Sequence, residues 1–408
     1  MNEYFWCIGG GLLQKVVIDA AKEIGLKVII TDGSKECFCK KYADKFFQVD
    51  IFDINGHINL AKDLKQKIKI KGVLAAGIDA PVTMSKLCEY LNLPGVSSAI
   101  SEKVHNKFKF REFSKKNNIS TPKYEVYKEN DLSNLSNILD NYDLPFIIKN
   151  VDSSGSRGTK IFYSRNKKEE ARVAKEAIRV SKSSSFLIES VWVGNECTVE
   201  TIYDIQGNFH RCFITDRNFD YSNGYPIELG LVSPTQLSDK VQEECYSLAK
   251  TVSSKLGIKI GAAKFDMIIT DDGPKIIEMT TRLSGGFDCQ YVVPASTGKN
   301  IVLAAVMTAC GINFPKELLK NKVNKVCVTG SNWPRNGKIK KIKNIEKVKY
   351  MEGVEHIFFR KSVGDKVDNY SNCTDRVNFI ICTGINYDKA IKNLEAAISE
   401  IKIEITHE

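Results

Sequence analysis

Short apolar runs alternate with helical patterns over the first hundred residues of the chain. Three apolar runs of strand length lie at residues 4–8, 27–31 and 71–76. Apolar positions with helical spacing follow the first run over residues 12–24 and the third run over residues 80–91. Strands that alternate with helices in this way predict a parallel sheet with helices on both of its faces.

The pattern changes after residue 100. Residues 101–119 are predicted to form one helix that ends before Thr121 and Pro122. A longer α/β segment runs to about residue 310, and its clearest elements are a helix at 239–256 and strands at 258–269 and 274–279. The last hundred residues are rich in strand patterns and end in a predicted helix over residues 388–401.

The length and composition describe a soluble globular protein with more than one domain. Single hydrophobic cores stop growing near ~250–300 residues, so a chain of 408 residues predicts two or three domains around a shared cleft. Lys and Arg exceed Asp and Glu by ten, which suits a lysine-rich solvated surface. The basic stretch at residues 62–71 has no interleaved aromatic residues that could stack bases, so no nucleic-acid partner is expected.

Neither a membrane segment nor a disulfide framework is expected. No run of about 18 apolar residues is present, and the first residues lack the basic region and long apolar run of a signal peptide. We therefore expect a cytoplasmic protein whose 12 cysteines are reduced. Cys37 and Cys39 form a close pair, but without a second pair at ligand spacing they do not predict a metal site.

The turn after the first predicted strand contains Gly9, Gly10 and Gly11. A glycine-rich turn here, with Asp32 at the end of the second strand, matches part of a dinucleotide-binding pattern. The third glycine of that pattern is missing, and any tight strand-to-helix turn favours glycine. An NAD-dependent oxidoreductase therefore stays open as a minor alternative, and a substrate anion at the helix N-terminus is another.

A loop of small residues follows the predicted strand that carries Lys149. Its small residues are Ser153, Ser154, Gly155, Ser156 and Gly158. Small side chains allow backbone N–H groups to surround phosphate oxygens, and the lysine on the preceding strand adds a compact positive charge. The loop lacks the G-x-x-x-x-G-K-[ST] pattern, and alone it is equally compatible with an ordinary hairpin turn.

The next candidate segment has the features of an adenosine site. An apolar strand ends at Glu189, and the chain then passes through Ser190 and Trp192 to Glu196. The backbone between Glu189 and Trp192 can meet the edge of an adenine ring, and the two oxygens of Glu196 can accept hydrogen bonds from both ribose hydroxyls. The alternative interpretation is a core tryptophan between two surface glutamates.

Two acidic residues lie in facing strands of a predicted hairpin. Asp266 and Glu278 are embedded in apolar runs on either side of a D-D-G turn. Adjacent strands would bring the two carboxylates together, and Mg²⁺ prefers carboxylate and phosphate oxygens as ligands. Arg282 follows the second strand, where a guanidinium group can hold a carboxylate or stabilise a transferring charge.

These motifs, in this order and at these separations, resemble the ATP-grasp superfamily over residues 1–310. The resemblance implies an α/β fold with a Rossmann-like parallel-sheet domain at residues 1–105 and an ATP-grasp domain at 106–310, whose lid covers about 122–190. Residues 311–408 resemble the strand-rich C-terminal α+β module of carboxylase-like members. ATP and Mg²⁺ are the implied cofactors, with Mn²⁺ as a possible replacement.

The resemblance implies a nucleotide-binding role for the first group of residues. Lys107 and Lys149 match the two lysines that contact ATP phosphates, and residues 153–158 match the mobile glycine-rich loop. The segment at 189–192 matches the adenine hinge. Glu196 matches the ribose-binding carboxylate of D-alanine–D-alanine ligase.

The same resemblance implies roles at the reacting end. Asp266 and Glu278 match the magnesium ligands. Lys264 stands where D-alanine–D-alanine ligase has a phosphate-binding arginine, and Arg282 matches an arginine that holds the acceptor in biotin carboxylase. Thr280 replaces the usual asparagine and is a weaker metal ligand than an amide oxygen.

The implied activity is that of an ADP-forming ligase that joins a small-molecule carboxylate to an amine. Gly285 and Gly286 resemble the amino-acid ligases and the carbamoyl-phosphate-synthetase-like relatives. We expect residues 211–234 to line the acceptor pocket, with the side chains of Arg217, Tyr221, Tyr225 and Glu228. A bicarbonate-using carboxylase and a catalytically weak ATP-binding regulatory protein stay open as alternatives. Homodimers are common among the relatives, so the resemblance leaves a homodimer open, although the sequence itself does not determine the oligomeric state.

Overall fold

The computed structural model of the protein describes residues 2–153, 155–368 and 370–406. Its N-terminal part alternates strands and helices: β1 (Glu3–Ile8), α1 (Gln14–Glu23), β2 (Lys27–Asp32), β3 (Lys45–Gln48), α2 (Ile54–Leu64), β4 (Lys69–Leu74) and α3 (Pro81–Leu91). The strands are parallel, in the order β3-β2-β1-β4. β1 is buried along almost its whole length, which explains its uninterrupted apolar sequence. The predicted parallel sheet is confirmed.

Two helices, α4 (Ser98–His105) and α5 (Lys107–Lys116), connect this sheet to the rest of the chain. The prediction of one helix over residues 101–119 is wrong, because the chain is extended at Asn106. The side chain of Asn106 accepts a hydrogen bond from the backbone N–H of Lys109 at 2.9 Å and caps α5. The break places Lys107 in the first turn of a new helix.

The next part of the chain is a small antiparallel sheet covered by helices. Its elements are β5 (Tyr124–Lys128), α6 (Leu135–Leu139), β6 (Phe146–Asn150), β7 (Lys160–Phe162), α7 (Lys167–Val180) and β8 (Ser185–Ser190). The strand order is β5-β8-β6-β7. α6 and α7 pack on one face of the sheet around Phe146 and Phe186, so the other face is left to line a cavity.

The middle of the chain forms a second antiparallel unit. Its elements are β9 (Asn195–Tyr203), β10 (Phe209–Asp220), β11 (Ile227–Ser233), α8 (Asp239–Leu256), β12 (Gly261–Thr270), β13 (Gly273–Thr280), α9 (Val293–Thr297) and α10 (Ile301–Ala309). The predicted helix at 239–256 and the predicted hairpin are confirmed. A single π-helical turn at Asp288–Val292 precedes α9.

The C-terminal part adds more strands than helices. Its elements are β14 (Val326–Gly330), β15 (Gly337–Lys343), α11 (Ile345–Lys349), β16 (Val354–Phe359), β17 (Lys366–Val367), β18 (Asn378–Gly384), α12 (Tyr387–Glu400) and β19 (Lys402–Thr406). β14, β18 and β16 continue the sheet of the middle unit, giving the order β13-β12-β9-β10-β11-β14-β18-β16. A small sheet, β17-β15-β19, completes the strand-rich C-terminal part, which therefore shares its main sheet with the preceding unit.

Among the described residues, no helix is both long and apolar enough to cross a membrane. The twelve cysteines are free thiols, and ten of them are buried. Cys37 and Cys373 are the partly exposed ones.

Candidate active site

A cavity of about 430 Å³ lies between the small sheet β5-β8-β6-β7 and the hairpin strands of the large sheet. Its lining includes eleven of the residues proposed from the sequence: Lys107, Lys149, Ser153, Gly155, Ser156, Glu189, Ser190, Trp192, Glu196, Asp266 and Glu278. These residues come from separate segments between Lys107 and Glu278, and the fold brings them to one cavity.

Lys107 reaches the loop that follows β6. Its Nζ donates to the carbonyl of Ser153 at 2.7 Å and to Oδ1 of Asn150 at 3.3 Å. The same Nζ lies 3.6 Å from a carboxylate oxygen of Glu278 on β13. Lys107 therefore bridges the small sheet and the hairpin of the large sheet, with its charge inside the cavity.

Lys149, Glu189 and Arg111 form a buried ion cluster at the base of the cavity. Glu189 Oε2 lies 2.5 Å from Lys149 Nζ, and its Oε1 lies 2.8 Å from Arg111 Nε. Burial lowers the pKa of Lys149 to about 8. Burial opposes the ionisation of Glu189, but Arg111 and Lys149 hold its pKa at about 2. The Glu189 carboxylate is therefore engaged by two cations, while its backbone is paired with β5 and β6.

The glycine-rich loop combines open and tightly packed positions. Gly155 has a φ of +71° and open space where a Cβ would be. Gly158 has a φ of +60°, and a Cβ there would lie 2.8 Å from the backbone of Ala177 in α7. Gly158 thus lets the loop lie close to α7 and does not line the cavity. Ser154 lies outside the described residues.

Apolar side chains also line the cavity, next to the ion cluster. They are Ile147, Ile161 and Ile268, together with Trp192. Trp192 is partly buried, and its ring centroid lies 6.0 Å from Arg111 Cζ and 5.5 Å from Lys275 Nζ. A flat, apolar slot next to the chain at residues 189–192 suits a planar base.

Arg217 contacts three acidic side chains that line the cavity. Its Nε lies 2.8 Å from Glu228, and its Nη1 lies 3.2 Å from Asp266 and 3.5 Å from Glu196. The Tyr221 hydroxyl donates to Glu196, whose pKa is raised by burial. Arg217, Tyr221 and Glu228, which were expected in an acceptor pocket, therefore lie in the same cavity as the two lysines.

The hairpin carboxylates are direct neighbours. Asp266 on β12 pairs in register with Glu278 on β13. Asp266 also accepts a hydrogen bond from Thr198 Oγ1 at 2.9 Å and contacts Lys264 and Arg217. Among the described residues, no group of three or more Asp, Glu, His or Cys side chains could hold a metal. Two carboxylates facing a cavity fit Mg²⁺ that is held jointly with phosphate oxygens.

Arg282 and Lys264 lie in a smaller space that adjoins the main cavity. This space shares Lys107, Ser153, Asp266 and Glu278 with the main cavity. Arg282 Nη1 donates to the carbonyl of Leu283 at 2.9 Å, and its buried Nε has no protein partner. Asp79 and His105, from the N-terminal part of the chain, also line this space. Sequence reasoning missed these two residues, because neither belongs to a local motif.

Several buried polar atoms between Thr280 and Gln290 have no hydrogen-bond partner in the protein. They are Thr280 Oγ1, Arg282 Nε, Ser284 Oγ, Asp288 Oδ1 and Gln290 Oε1. Glu200, on β9, accepts the backbone N–H of Ser284 with both carboxylate oxygens, at 3.0 and 3.1 Å. Burial raises the pKa of Glu200 to about 7 and raises that of Asp288 well above its usual value. Buried polar groups without a protein partner can bond to a ligand or to ordered water.

Comparison with known proteins agrees with this geometry. Residues 142–290 match the ATP-grasp domain, and residues 333–406 match domain 2 of the C-terminal region of L-amino acid ligases. An uncharacterized protein of Sinorhizobium fredii is 22% identical over 408 residues, covering 95% of this chain and 80% of that protein. Carnosine synthase 1 of Homo sapiens is 21% identical over 327 residues, covering 74% of this chain but 39% of that protein. The chain thus spans well under half of carnosine synthase 1.

Two further relatives have a comparable likeness. N5-carboxyaminoimidazole ribonucleotide synthase of Bacillus subtilis is 22% identical over 273 residues, covering 66% of this chain and 67% of that protein. The crystal structure of L-amino acid ligase from Bacillus licheniformis superposes with a TM-score of 0.82 at 21% identity, covering 99% of both chains. The chain therefore contains an ATP-grasp domain at residues 142–290 and, at residues 333–406, a C-terminal domain of the L-amino acid ligase type.

Proposed function

We propose that the protein uses Mg-ATP to activate a small-molecule carboxylate as an acyl phosphate and joins it to an amine, with release of ADP and phosphate. The observation that carries this proposal is the convergence of Lys107, Lys149, Asp266 and Glu278 on one cavity. Two cations and two carboxylates from separate segments suit a triphosphate and its metal. The likeness to carnosine synthase 1 and to L-amino acid ligase favours an amino acid or a similar small molecule as acceptor.

The chemistry needs positioning and charge neutralisation more than covalent help from side chains. A carboxylate oxygen of the substrate attacks the γ-phosphorus of ATP, the bond to the bridging oxygen breaks, and ADP leaves. The amine nitrogen then attacks the acyl carbon, phosphate leaves, and the nitrogen loses a proton. Lys107 and Lys149 neutralise phosphate charge, and Arg282 holds the acceptor or the transferring group. Mg²⁺, held by Asp266 and Glu278, would supply further neutralisation of the phosphates.

The apolar slot and Glu196 bind the adenosine part of ATP in this proposal. The adenine ring lies between the isoleucine side chains and Trp192, with its edge against the backbone at 189–192. Glu196 accepts hydrogen bonds from the ribose hydroxyls. The glycine-rich loop closes over the phosphates and keeps water from the acyl phosphate. Gly155 and Ser156 supply backbone N–H groups that surround the phosphates, whereas the N–H of Ser153 is donated to Asn150 Oδ1.

A bicarbonate-using carboxylase is the second candidate. The likeness to N5-carboxyaminoimidazole ribonucleotide synthase favours it. In that case bicarbonate takes the place of the carboxylate, and the intermediate is carboxyphosphate.

The test is an assay of ADP release with panels of amino acids and other small carboxylates, each in the presence and absence of bicarbonate. We expect ADP release that requires one carboxylate and one amine and does not require bicarbonate. Lys149→Ala is expected to abolish this release, whereas Lys168→Ala, at an exposed position of α7, leaves it unchanged. Tight ATP binding without turnover for any pair would overturn the ligase proposal in favour of a regulatory role.

A further inference from the structure

A second cavity, of about 490 Å³, lies on the reverse face of the β10–β11 hairpin. Side chains alternate across a strand, so Phe219 and Tyr221 line the nucleotide cavity whereas Asp220 lies in the second one. On β11, Glu228 lines the first cavity and Leu229 the second. We call this second cavity the hairpin cleft. Its volume is in the range of about 300–1,000 Å³ that small-molecule sites occupy.

Aromatic rings held in fixed positions form one wall of the hairpin cleft. The rings of Trp333 and Tyr370 meet edge to face, with centroids 4.8 Å apart. The Tyr370 hydroxyl donates to the carbonyl of Pro334, and the Arg376 guanidinium lies 5.4 Å from the Trp333 ring centroid. Both rings are only partly buried. A pre-positioned and partly open aromatic corner is suited to a flat ring of a ligand.

Cations lie at both ends of the cleft, each over a tyrosine ring. Lys160 Nζ is 4.4 Å from the centroid of Tyr225, and Arg335 Cζ is 5.3 Å from the centroid of Tyr370. Hydrogen bonds from Ser222 lower the pKa of the Asp220 carboxyl, and the positive charge of Arg335 lowers it further. The cleft therefore has one cationic side chain beside each of these two tyrosine rings.

The local charge exceeds neutrality by one cation. Lys160 and Arg172 share the carboxylate of Glu169, at 2.8 Å each. Asp220 lies near Arg335. The carboxylates are therefore two, Glu169 and Asp220, and the cations are three: Lys160, Arg172 and Arg335. A ligand with one negative charge balances this excess, whereas a phosphate with two would leave one negative charge uncompensated in the cleft. A guanidinium group binds a planar carboxylate well.

We propose that the hairpin cleft binds a small aromatic monocarboxylate, at a site separate from the nucleotide cavity. The ring stacks in the corner formed by Trp333 and Tyr370, and the carboxylate pairs with Arg335. Trp333, Arg335 and Tyr370 all belong to the C-terminal part of the chain, whereas Asp220 and Leu229 belong to the hairpin. The bound molecule thus joins the C-terminal part to the wall of the nucleotide cavity.

The position of the cleft links it to the glycine-rich loop. Lys160 begins β7, which directly follows that loop, and Ile161 N donates to the carbonyl of Gly224 at the hairpin tip at 2.7 Å. A ligand that fixes the hairpin against β7 also changes the affinity for nucleotide, because coupling between two sites is reciprocal. We therefore expect benzoate and Mg-AMP-PNP to bind together and to change each other's affinity.

Equilibrium dialysis of labelled benzoate against the full chain tests the proposal, with benzamide and phenylphosphonate as the neutral and dianionic probes. We expect saturable binding of one benzoate per chain that persists in saturating Mg-AMP-PNP, with benzamide and phenylphosphonate about tenfold weaker. Arg335→Gln is expected to weaken benzoate binding by a similar factor, while Lys338→Gln, at an exposed position of β15, does not change it.

Quenching of Trp333 fluorescence locates the bound benzoate. The chain contains three tryptophans, and Trp192→Phe removes the one in the nucleotide cavity, so the signal that remains comes from Trp333 and the buried Trp6. Absence of saturable binding, displacement by Mg-AMP-PNP, or equal binding to Arg335→Gln and Lys338→Gln would each overturn the proposal.

Discussion

The ammonium group of Lys264 lies 2.6 Å from one carboxylate oxygen of Asp266 and 2.7 Å from the other. The two residues are two positions apart on β12, so their side chains share one face of the strand. Burial opposes the ionisation of Asp266, but Arg217 and Lys264 hold its pKa at about 2. A proposed metal ligand is thus engaged by protein cations when no nucleotide is bound, and a divalent cation must compete with them.

Removal of Lys264 is therefore expected to strengthen metal binding in the absence of nucleotide. Lys264→Met removes the ammonium group that contacts both oxygens of Asp266, and we expect Mn²⁺ to bind about tenfold more tightly than to the wild type. The same variant is expected to bind ATP more weakly, because it lacks one phosphate-binding cation. Electron paramagnetic resonance of free Mn²⁺ measures the first effect, and calorimetry measures the second.

Lys259→Met is the matched control, since Lys259 is exposed and lies just before β12. It is expected to leave both affinities unchanged. Unaltered Mn²⁺ affinity in Lys264→Met would show that Lys264 does not compete with the metal for Asp266.

Nucleotide affinity is expected to fall as the pH rises through about 8. Burial lowers the pKa of Lys149 to about 8, so the free protein loses this positive charge above that pH, whereas arginine stays charged. Between pH 7 and pH 9 we expect the affinity for ATP to fall about tenfold in the wild type. Calorimetric titrations across this range should show a flat profile for Lys149→Arg. Parallel profiles for the two proteins would contradict the assignment of Lys149 to the phosphates.

Glu278→Gln is expected to reduce turnover at least ~100-fold, because it removes a charged ligand of the Mg²⁺ that would neutralise the developing charge on the phosphates. Glu278 is partly exposed in the cavity and contacts Lys107, so the substitution should leave the fold intact. Asp272→Asn, at the exposed turn of the same hairpin, serves as the control and should keep wild-type turnover. Steady-state ADP release and circular dichroism measure the two properties, and near-normal turnover in Glu278→Gln would remove it from the site.

Stability is expected to depend on pH through Glu200. Burial raises the pKa of its carboxyl to about 7, above the value of an unfolded glutamate. The stability contributed by the protonated group is complete below the unfolded pKa and is lost as the pH rises through about 7. Glu200→Gln stays neutral, so the free energy of unfolding of the variant relative to the wild type should rise by roughly 2 kcal/mol between pH 5 and pH 8. Urea titrations at the two pH values measure this difference, and a constant difference would contradict it.

Local sequence patterns predicted much of the fold and part of the candidate site. Lys149 and the small residues after it belong to one strand and loop, and Asp266 and Glu278 belong to one hairpin, so their chemistry is visible over a few neighbouring positions. The hairpin itself follows from the turn and the apolar alternation, but the two carboxylates lie side by side because the register shifts by one residue between Asp266 and Met267, which those patterns do not predict. The parallel N-terminal sheet was predictable from its alternation of apolar strands and helices.

Residues that act through tertiary contacts could not be predicted in this way. Arg111 lies four positions after Lys107, on the same face of α5, and its role depends on Glu189, which is 78 positions away. Asp79 and His105 reach the adjoining space only because the N-terminal sheet packs beside the hairpin. Asn106 broke a predicted helix because its side chain caps the next one, a local competition that the apolar pattern does not reveal.

The Tyr225 side chain shows the limit of a positional expectation. It was expected in an acceptor pocket with Arg217 and Tyr221, but it lines the hairpin cleft instead. Neighbouring residues of a hairpin face opposite sides, and only the tertiary structure shows that each side has its own cavity.

A crystal structure with Mg-AMP-PNP bound is the decisive measurement for the proposed site. We expect the triphosphate to lie between Lys107 and Lys149, the metal to contact Asp266 and Glu278, and the adenine ring to lie against residues 189–192. Nucleotide bound at the turn of Gly9 to Gly11, with Lys149 and Glu278 away from it, would refute the proposed site.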